Sequence, residues 1–361
     1  MRVLFTGGGT GGHLYPLIAV AQNLLALVPG AKIEFIGSKG KIEEKAVPAS
    51  GFAFHGIKAA SFPRKAGAEL IKFPFVFTRS LLSALKYVKA LKPEVAVGSG
   101  AYISAPGILA AKITGAKIIL LEQNSFPGVT TKLLQGLARE IHVSFSDSVK
   151  FFKDKDKVFL TGNPVRPGMK GADKSEAIKS FGLDPQKPVV LVLGGSLGAG
   201  KINDSIAGIL PGLKEKGIQV LWQTGERYYA SYSSLNSTVC KVVPYLNDMA
   251  SAYAAADLMV ARAGATTIAE IAAIAMGTIL IPSPNVANNH QYFNALSLSE
   301  KNAAVLIEEK EIESRLFPEI TQLLSEPQKL NTLKENIAKF SAPEAGTIIA
   351  KRIIELAGGR E

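Results

Sequence analysis

The residues able to do chemistry collect behind short apolar runs. Val3–Thr6 leads into GGGTGGH, residues 7–13, and Val189–Leu193 leads into GGSLGAGK, residues 194–201. A strand that passes through glycines into a helix lets backbone N–H groups approach an anion at the helix's positive end. Gly7, Gly9 and Gly12 satisfy the G-x-G-x-x-G spacing, but the next apolar run ends Phe35-Ile-Gly-Ser38, without the acid that would hold a dinucleotide ribose. The nearest acid, Glu34, lies inside that run, so a redox dinucleotide is disfavoured. The second loop nearly spells the phosphate loop of triphosphatases, yet Ile202 stands where a hydroxyl would bind magnesium. Its glycines and Ser196 suit a phosphate held without a metal.

His13 ends the first glycine loop. Near a helix N-terminus its imidazole is held neutral and is able to accept a proton near pH 7; capping the loop or binding a phosphate are equal alternatives. His55, His142 and His290 have no mutual spacing for a metal, and Cys240 is the single cysteine, which excludes disulfides and Cys-based zinc clusters. Asp154-Lys-Asp156 resembles a metal-binding D-x-D, but the lysines around it favour a solvated turn. Polar residues also follow later apolar runs: Glu122-Gln-Asn124 after Lys117–Leu121, and the loop carrying Tyr102 and Ser104 after Val95–Gly98. Open α/β sheets bind ligands at that carboxyl edge. After Leu258–Ala261, Arg262-Ala-Gly264 opens a helix whose N–H groups suit a pyrophosphate, with Glu270 further along to meet ribose hydroxyls. The amide-rich stretch Asn288 to Asn294 suits sugar hydroxyls.

These loops need parallel strands to hold them. Candidate strands are Val3–Thr6, Lys32–Ile36, Val95–Gly98, Lys117–Leu121, Glu140–Val143 and Lys157–Leu160. A second series is Val189–Leu193, Gln219–Gln223, Cys240–Val243, Leu258–Ala261, Thr278–Ile281 and Ala303–Ile307. Uniformly apolar strands alternating with helices predict an α/β protein, with two Rossmann-like domains facing a cleft. The break falls in Thr161–Pro167, giving domains 1–163 and 164–340. In the tail 341–361, Ser341 and Glu344 form a capping box, so the tail is expected to be a helix packing back on the first domain. With 361 residues, two domains are the default, and 47% apolar content excludes extended disorder. The long uncharged stretches are broken by Gly, Pro, His, Asn or Gln, and no cleavage pattern follows Met1-Arg2, so a cytoplasmic protein is expected.

The formal net charge of +11 lies wholly in residues 1–163, where 21 Lys+Arg meet 10 Asp+Glu; residues 164–361 hold 20 of each. Between Lys58 and Lys92 eight cations meet one acid, Glu69, and are interleaved with Phe62, Phe73, Phe75, Phe77, Leu81, Leu82, Leu85 and Tyr87. That pattern favours contact with an anionic membrane surface. A helix that buries its Phe/Leu face is the bland alternative. Nucleic acid is the weakest reading, since no recognisable module accompanies the charge.

The strings GGGTGGHLYP, GSGAYISAP, EQN, TGNPVR, GGSLGA and RAGATTIAE occur in one order. Together they resemble the bacterial peptidoglycan N-acetylglucosaminyltransferases that convert lipid I to lipid II, over almost the whole chain. The resemblance implies a GT-B glycosyltransferase on the cytoplasmic face of the membrane. It would move N-acetylglucosamine from UDP-N-acetylglucosamine to the muramoyl 4-hydroxyl of lipid I, with inversion and with no cofactor or obligatory metal. By motif position, the donor contacts would be Thr10, Gly11, Gly12, Asn124, Arg166, Ser196, Leu246, Ala265, Thr266, Thr267, Ile268, Ala269, Glu270 and Gln291. Glu270 would hold the ribose, Leu246 the uracil through its backbone, and Gln291 the sugar. His13 would be the base, with Glu122 also catalytic and Tyr102 on the acceptor side. The chain departs from the pattern at Ala265–Ala269 and at His290, where a second amide is common. A UDP-N-acetylglucosamine 2-epimerase and a non-enzymatic membrane scaffold that senses UDP-sugar are the competing functions.

Overall fold

The computed structural model describes residues 1–59, 68–165, 168–169, 171–195 and 197–358. Arg166 and Ser196 lie outside the described residues, as does the 60–67 part of the basic stretch with Phe62, Arg64 and Lys65. The chain divides into two compact units, one formed by Met1–Arg166 with Ala342–Glu361 and the other by Pro167–Ser341.

The first unit holds strands β1 (Arg2–Thr6), β2 (Lys32–Ser38), β3 (Ala53–Ile57), β4 (Val95–Ser99), β5 (Lys117–Glu122), β6 (Glu140–Val143) and β7 (Val158–Leu160). They pair in the order β3-β2-β1-β4-β5-β6-β7, every pair parallel. Between them run α1 (Gly11–Leu27), α2 (Glu43–Ala49), α3 (Ala68–Leu91), α4 (Ser104–Ile113) and α5 (Val129–Leu134). The strands are apolar on both faces because helices cover both. Val3, Phe5, Phe35 and Val97 face Leu14, Leu17 and Leu24 of α1, while Leu4, Ala96 and Ile118 face Ala84 and Val88 of α3 and Ile108 of α4.

In the second unit α6 (Lys174–Ser180) precedes β8 (Val189–Leu193), α7 (Gly200–Glu215), β9 (Gln219–Gln223), α8 (Glu226–Tyr232), β10 (Cys240–Val243) and α9 (Met249–Ala255). Then come β11 (Leu258–Ala261), α10 (Ala265–Ile274), β12 (Thr278–Leu280), α11 (His290–Ser299), β13 (Val305–Leu306), α12 (Ile312–Ser325) and α13 (Pro327–Ala338). The sheet order is β10-β9-β8-β11-β12-β13, again all parallel. Strand order reverses between β1 and β4 in one sheet and between β8 and β11 in the other, the switch point at which such sheets bind ligands. Trp222 is fully buried, and its Nε1–H donates to Asn203 Oδ1 at 3.0 Å.

Two local expectations need correction. The strand β3 has no counterpart in the sequence reading, because Ala-Phe-His-Gly-Ile carries a His and a Gly and runs along the sheet edge. There His55 Nε2 lies 2.7 Å from Glu34 Oε2, and the ring stacks on Tyr87 at 4.4 Å. The tail helix, α14 (Ala345–Gly358), begins past the capping box expected at Ser341, whose N–H instead closes a turn on Ala338 O.

α14 packs along α1 through Ile349, Ala350 and Ile353, and Thr347 Oγ1 donates to Asn23 Oδ1 at 3.0 Å. Arg352 of α14 pairs with Glu140 of β6, whose carboxylate also lies 3.1 Å from His142 Nε2. Burial raises the Glu140 pKa, but the hydrogen bonds from His142 and Arg352 outweigh it and hold the group at about 2. Stabilisation from this carboxylate is therefore complete above its ordinary value of 4.5 and is lost as the pH falls toward about 2. Replacing Arg352 with Ala should lower the melting temperature at pH 7 by a few degrees. It should also shrink the further fall between about pH 4.5 and 2, as read by calorimetry across that range.

Candidate active site

In the first unit the glycine loop joins β1 to α1, at the carboxyl edge of the sheet. Its N–H groups are less available than the sequence suggests. Gly7 N–H donates to Ile36 O at 3.3 Å, and Gly9 N–H donates to Glu43 Oε2 at 2.9 Å. The other oxygen of Glu43 accepts Ser38 N–H at 2.8 Å, and the side chain is fully buried. The Gly9 N–H is thereby committed to a buried side chain of the protein itself. Thr10 is exposed at the N-cap, and Gly11 and Gly12 open the helix.

His13 follows in the first turn of α1 and is half-buried. Ser99 Oγ donates to its backbone carbonyl at 2.8 Å, tying α1 to the end of β4. Its Nδ1 lies 3.2 Å from Gln123 Oε1. Burial pushes the imidazole pKa below its ordinary 6.5, and the Gln123 hydrogen bond works in the opposite direction. The ring is therefore neutral at pH 7, as a general base must be.

Glu122 ends β5 and is turned onto its own loop. Oε1 accepts Asn124 N–H at 3.0 Å and Asn124 Nδ2 at 3.3 Å; Oε2 accepts Gly128 N–H at 3.0 Å and Thr131 Oγ1–H at 2.7 Å. Burial raises its pKa against these donors. A carboxylate 1% exposed and surrounded by protein donors organises residues 122–131 and does not present itself to a substrate. Glu122, expected as a catalytic group, is thus engaged on both oxygens, with Asn124 held beside it. His13 and Glu122 are nevertheless neighbours. A Cβ built on Gly100 would lie 3.4 Å from His13 Cε1, 3.5 Å from Glu122 Oε2 and 3.1 Å from Thr131 Oγ1. The three side chains converge on this glycine, and a methyl group there would press most closely on Thr131. Tyr102 is half-buried against the α3–α4 face of the core.

In the second unit the loop after β8 turns back on itself, Gly198 N–H bonding Gly195 O at 3.0 Å. Gly198 has φ +76°, and a Cβ there would sit 2.0 Å from Thr224 O, so no other residue fits. Gln223 clamps this loop: Nε2 donates to Gly195 O at 3.2 Å, and Oε1 accepts Leu246 N–H at 2.8 Å. The N–H of Leu246 is thereby engaged within the protein. Lys201 reaches away to an exposed ion pair with Glu313 at 2.6 Å.

The helix α10 starts at Gly264 with no side chain capping it. Its first turn contains Ala265, Thr266 and Thr267, with Ile268 buried, Ala269 half-buried and Glu270 7% exposed behind them. Tyr253 O–H donates to Glu270 at 2.8 Å. Buried Asn294 ties α11 to this loop by donating to Ala263 O at 3.2 Å. Gln291, in the first turn of α11, accepts Ser283 N–H at 2.9 Å through Oε1, which directs its amide nitrogen to other partners. Asn288 and Asn289 stand at φ +53° and +50° just before it, the kind of backbone strain that concentrates at binding loops.

The other motifs resolve structurally. Asp154 pairs with Lys157 at 2.9 Å in an exposed turn, and among the described residues no three His, Cys, Asp or Glu side chains converge as a metal set. The sequence reading missed Glu43, Gln123 and Gln223. Gln123 lay within the quoted EQN turn, and Glu43 follows the strand whose end lacked the expected acid.

Twin parallel sheets with Rossmann order and carboxyl-edge glycine loops are the architecture of GT-B glycosyltransferases, and the family matches assign the chain to that class. Residues 3–143 match the Glycosyltransferase family 28 N-terminal domain, and residues 189–347 the Glycosyltransferase family 28 C-terminal domain. The chain belongs to the family of UDP-N-acetylglucosamine–N-acetylmuramyl-(pentapeptide) pyrophosphoryl-undecaprenol N-acetylglucosamine transferases. The protein of that name from Phocaeicola vulgatus is 40% identical over 99% of this chain and 96% of its own length. The one from Thermoanaerobacter sp. strain X514 is 40% identical over 98% of this chain and 99% of its own. The crystal structure of Acinetobacter baumannii MurG superposes with TM-score 0.76 at 24% identity, covering 98% of this chain and 99% of that one. A putative UDP-N-acetylglucosamine 2-epimerase from Listeria monocytogenes reaches TM-score 0.74 at 9% identity, covering 100% and 97%; this likeness is one of fold.

Removing the buried acceptor of the first loop tests its role. Glu43→Ala leaves the Gly9 and Ser38 N–H groups without their acceptor and should cost about 1–3 kcal/mol. The expected readout is a lower urea midpoint, partly restored in Glu43→Gln.

Proposed function

We propose that this chain transfers N-acetylglucosamine from UDP-N-acetylglucosamine to N-acetylmuramyl-(pentapeptide) pyrophosphoryl-undecaprenol, with His13 as the general base. The observation that carries the assignment is 40% identity across 99% of the chain to a transferase of that name. The chemistry proposed for His13 is supported by a neutral, half-buried imidazole at a helix start, held through one nitrogen. The muramoyl 4-hydroxyl attacks the sugar's anomeric carbon while its proton passes to His13. The bond from that carbon to the UDP oxygen breaks, and the configuration inverts. UDP departs with its charge stabilised by helix N-termini, those of α10 and of α7 behind Gly195–Gly198, together with Ser196 and Arg166.

On the donor side Glu270 receives the ribose hydroxyls, the Leu246 carbonyl meets the uracil, and the Gln291 amide nitrogen meets the sugar. Thr10, Gly11, Gly12 and Asn124 complete the donor contacts from the first unit. Glu122 acts as a positioning residue, and Tyr102 lies on the acceptor side.

The acceptor is a lipid, and α3 carries the proposed contact with an anionic, cytoplasmic membrane surface. Ile71, Phe75 and Leu82 are exposed at 74%, 76% and 62%, and the exposed cations Lys72, Arg79 and Lys86 lie beside them on the helical wheel. The buried side of the helix is made by Ser80, Ala84 and Val88. This exposure favours the membrane reading over a helix that hides its apolar face. No helix among the described residues is long and apolar enough to cross a membrane.

His13→Ala should lower kcat by about 10²–10⁴ and leave donor affinity nearly unchanged in a lipid I transfer assay; equal losses would make His13 a binding residue. In wild type, kcat/KM should fall as the pH drops through a value below 6.5, and His13→Ala should lack that limb. Transfer should persist in EDTA, and UDP-N-acetylglucosamine alone should not be epimerised. Changing Lys72, Arg79 and Lys86 to Glu should weaken binding to phosphatidylglycerol vesicles and spare turnover of a short-chain soluble acceptor. Each charge is worth about 1 kcal/mol at such a surface.

A further inference from the structure

We propose that Gln123 is a positioning residue that fixes the tautomer of His13, keeping the proton on Nδ1 and the basic lone pair on Nε2. This rests on the reading of His13 as base and adds to it the group that makes the ring a base at one nitrogen only. A neutral imidazole has one donor and one acceptor nitrogen, and the partner of one decides the state of the other. Gln123 Oε1 lies 3.2 Å from Nδ1, and a carbonyl oxygen accepts only from a protonated ring nitrogen.

The backbone that carries the amide is held by its neighbours. Gln123 is 2% exposed and sits between Glu122, which fastens residues 122–131 with four hydrogen bonds, and Asn124, which supplies two of those donors. Glu122 is also the ionisable group beside the ring, across the space left by Gly100. The ring's own backbone is pinned by Ser99. Base, orienting group and buried carboxylate thus form a series, with an amide between imidazole and acid. The group bonded to Nδ1 is thus a neutral amide and not the carboxyl group itself.

A second observation concerns the far end of the amide. Gln123 Nε2 is buried and has no hydrogen-bond partner among the described residues. A buried donor in that state costs free energy until an acceptor arrives. The carbonyl end of the amide, the end with a partner, is the one that faces the ring.

Nitrogen-15 NMR of histidine-labelled protein at neutral pH, with His13 assigned by His13→Ala, tests the tautomer independently of activity. The expected wild-type spectrum has a protonated Nδ1 and an unprotonated Nε2. In Gln123→Leu the two tautomers should mix, and kcat should fall by roughly ten- to a hundred-fold, part of what a general base contributes. In Gln123→Glu, of the same shape, the Nδ1–H form should persist and the acid limb of kcat/KM should move to higher pH. Thermal melts establish that both variants fold, and Gln123→Glu alone suffices if the leucine variant does not. A wild-type ring protonated on Nε2, or an unmoved acid limb in Gln123→Glu, overturns the proposal. If the spectra are as expected but His13→Ala retains full kcat, the base assignment fails and the tautomer assignment stands.

Discussion

Parallel strands end with their loops' N–H groups aimed past the sheet, and buried loops must find acceptors for them. In the first unit two buried carboxylates meet this demand. Glu43 gathers the amides of Gly9 and Ser38, joining the loop after β1 to the end of β2. Glu122 gathers those of Asn124 and Gly128 with the hydroxyl of Thr131, joining the end of β5 to α5. His13 follows the first of these loops and reaches Gln123 on the second, so its geometry depends on both staying where these side chains hold them. Several donors on one carboxyl group together offset the cost of burying it.

The second unit solves the same problem with neutral groups. Gln223 ties the β8 loop to Leu246, Asn203 joins Trp222 to Thr224 O, and Asn294 holds the loop in front of α10. The contrast is electrostatically sensible. Loops that are to receive a nucleoside diphosphate are best braced without adding negative charge to them. Glu270 is the exception, and it stands in the second turn of α10, behind the helix start proposed for the phosphates.

The alternation of apolar strands and helices made both sheets legible in the sequence, because strands covered on two faces have few polar residues. The strand β3 escaped, since its polarity is satisfied only by Glu34 and Tyr87 from other elements. The glycine loops were legible as strand-to-helix turns, but not the fate of their amides. Glu43 lies 34 residues from Gly9 and Gln123 lies 110 from His13, and a single sequence does not reveal which distant side chain returns to a loop. Leu246 was expected to meet the uracil through its backbone, and no sequence signal showed that its N–H is committed to Gln223. On α3, periodicity alone left two faces open as the buried one. Ser80, Ala84 and Val88 form it, and Ile71, Phe75 and Leu82 are left outside.

The return of α14 to the first unit bears on how the chain is made. Ile349, Ala350 and Ile353 complete the core beneath α1, yet they emerge from the ribosome after the whole of residues 167–341. At ordinary elongation rates that is a delay on the order of ten to thirty seconds. Throughout it the nascent amino-terminal half carries an uncovered apolar groove, together with Glu140 lacking its arginine. The carboxyl-terminal half, contiguous in sequence, can finish folding first. The first unit's core therefore waits on a segment made after the whole second unit, whereas the second unit needs no segment from beyond its own bounds.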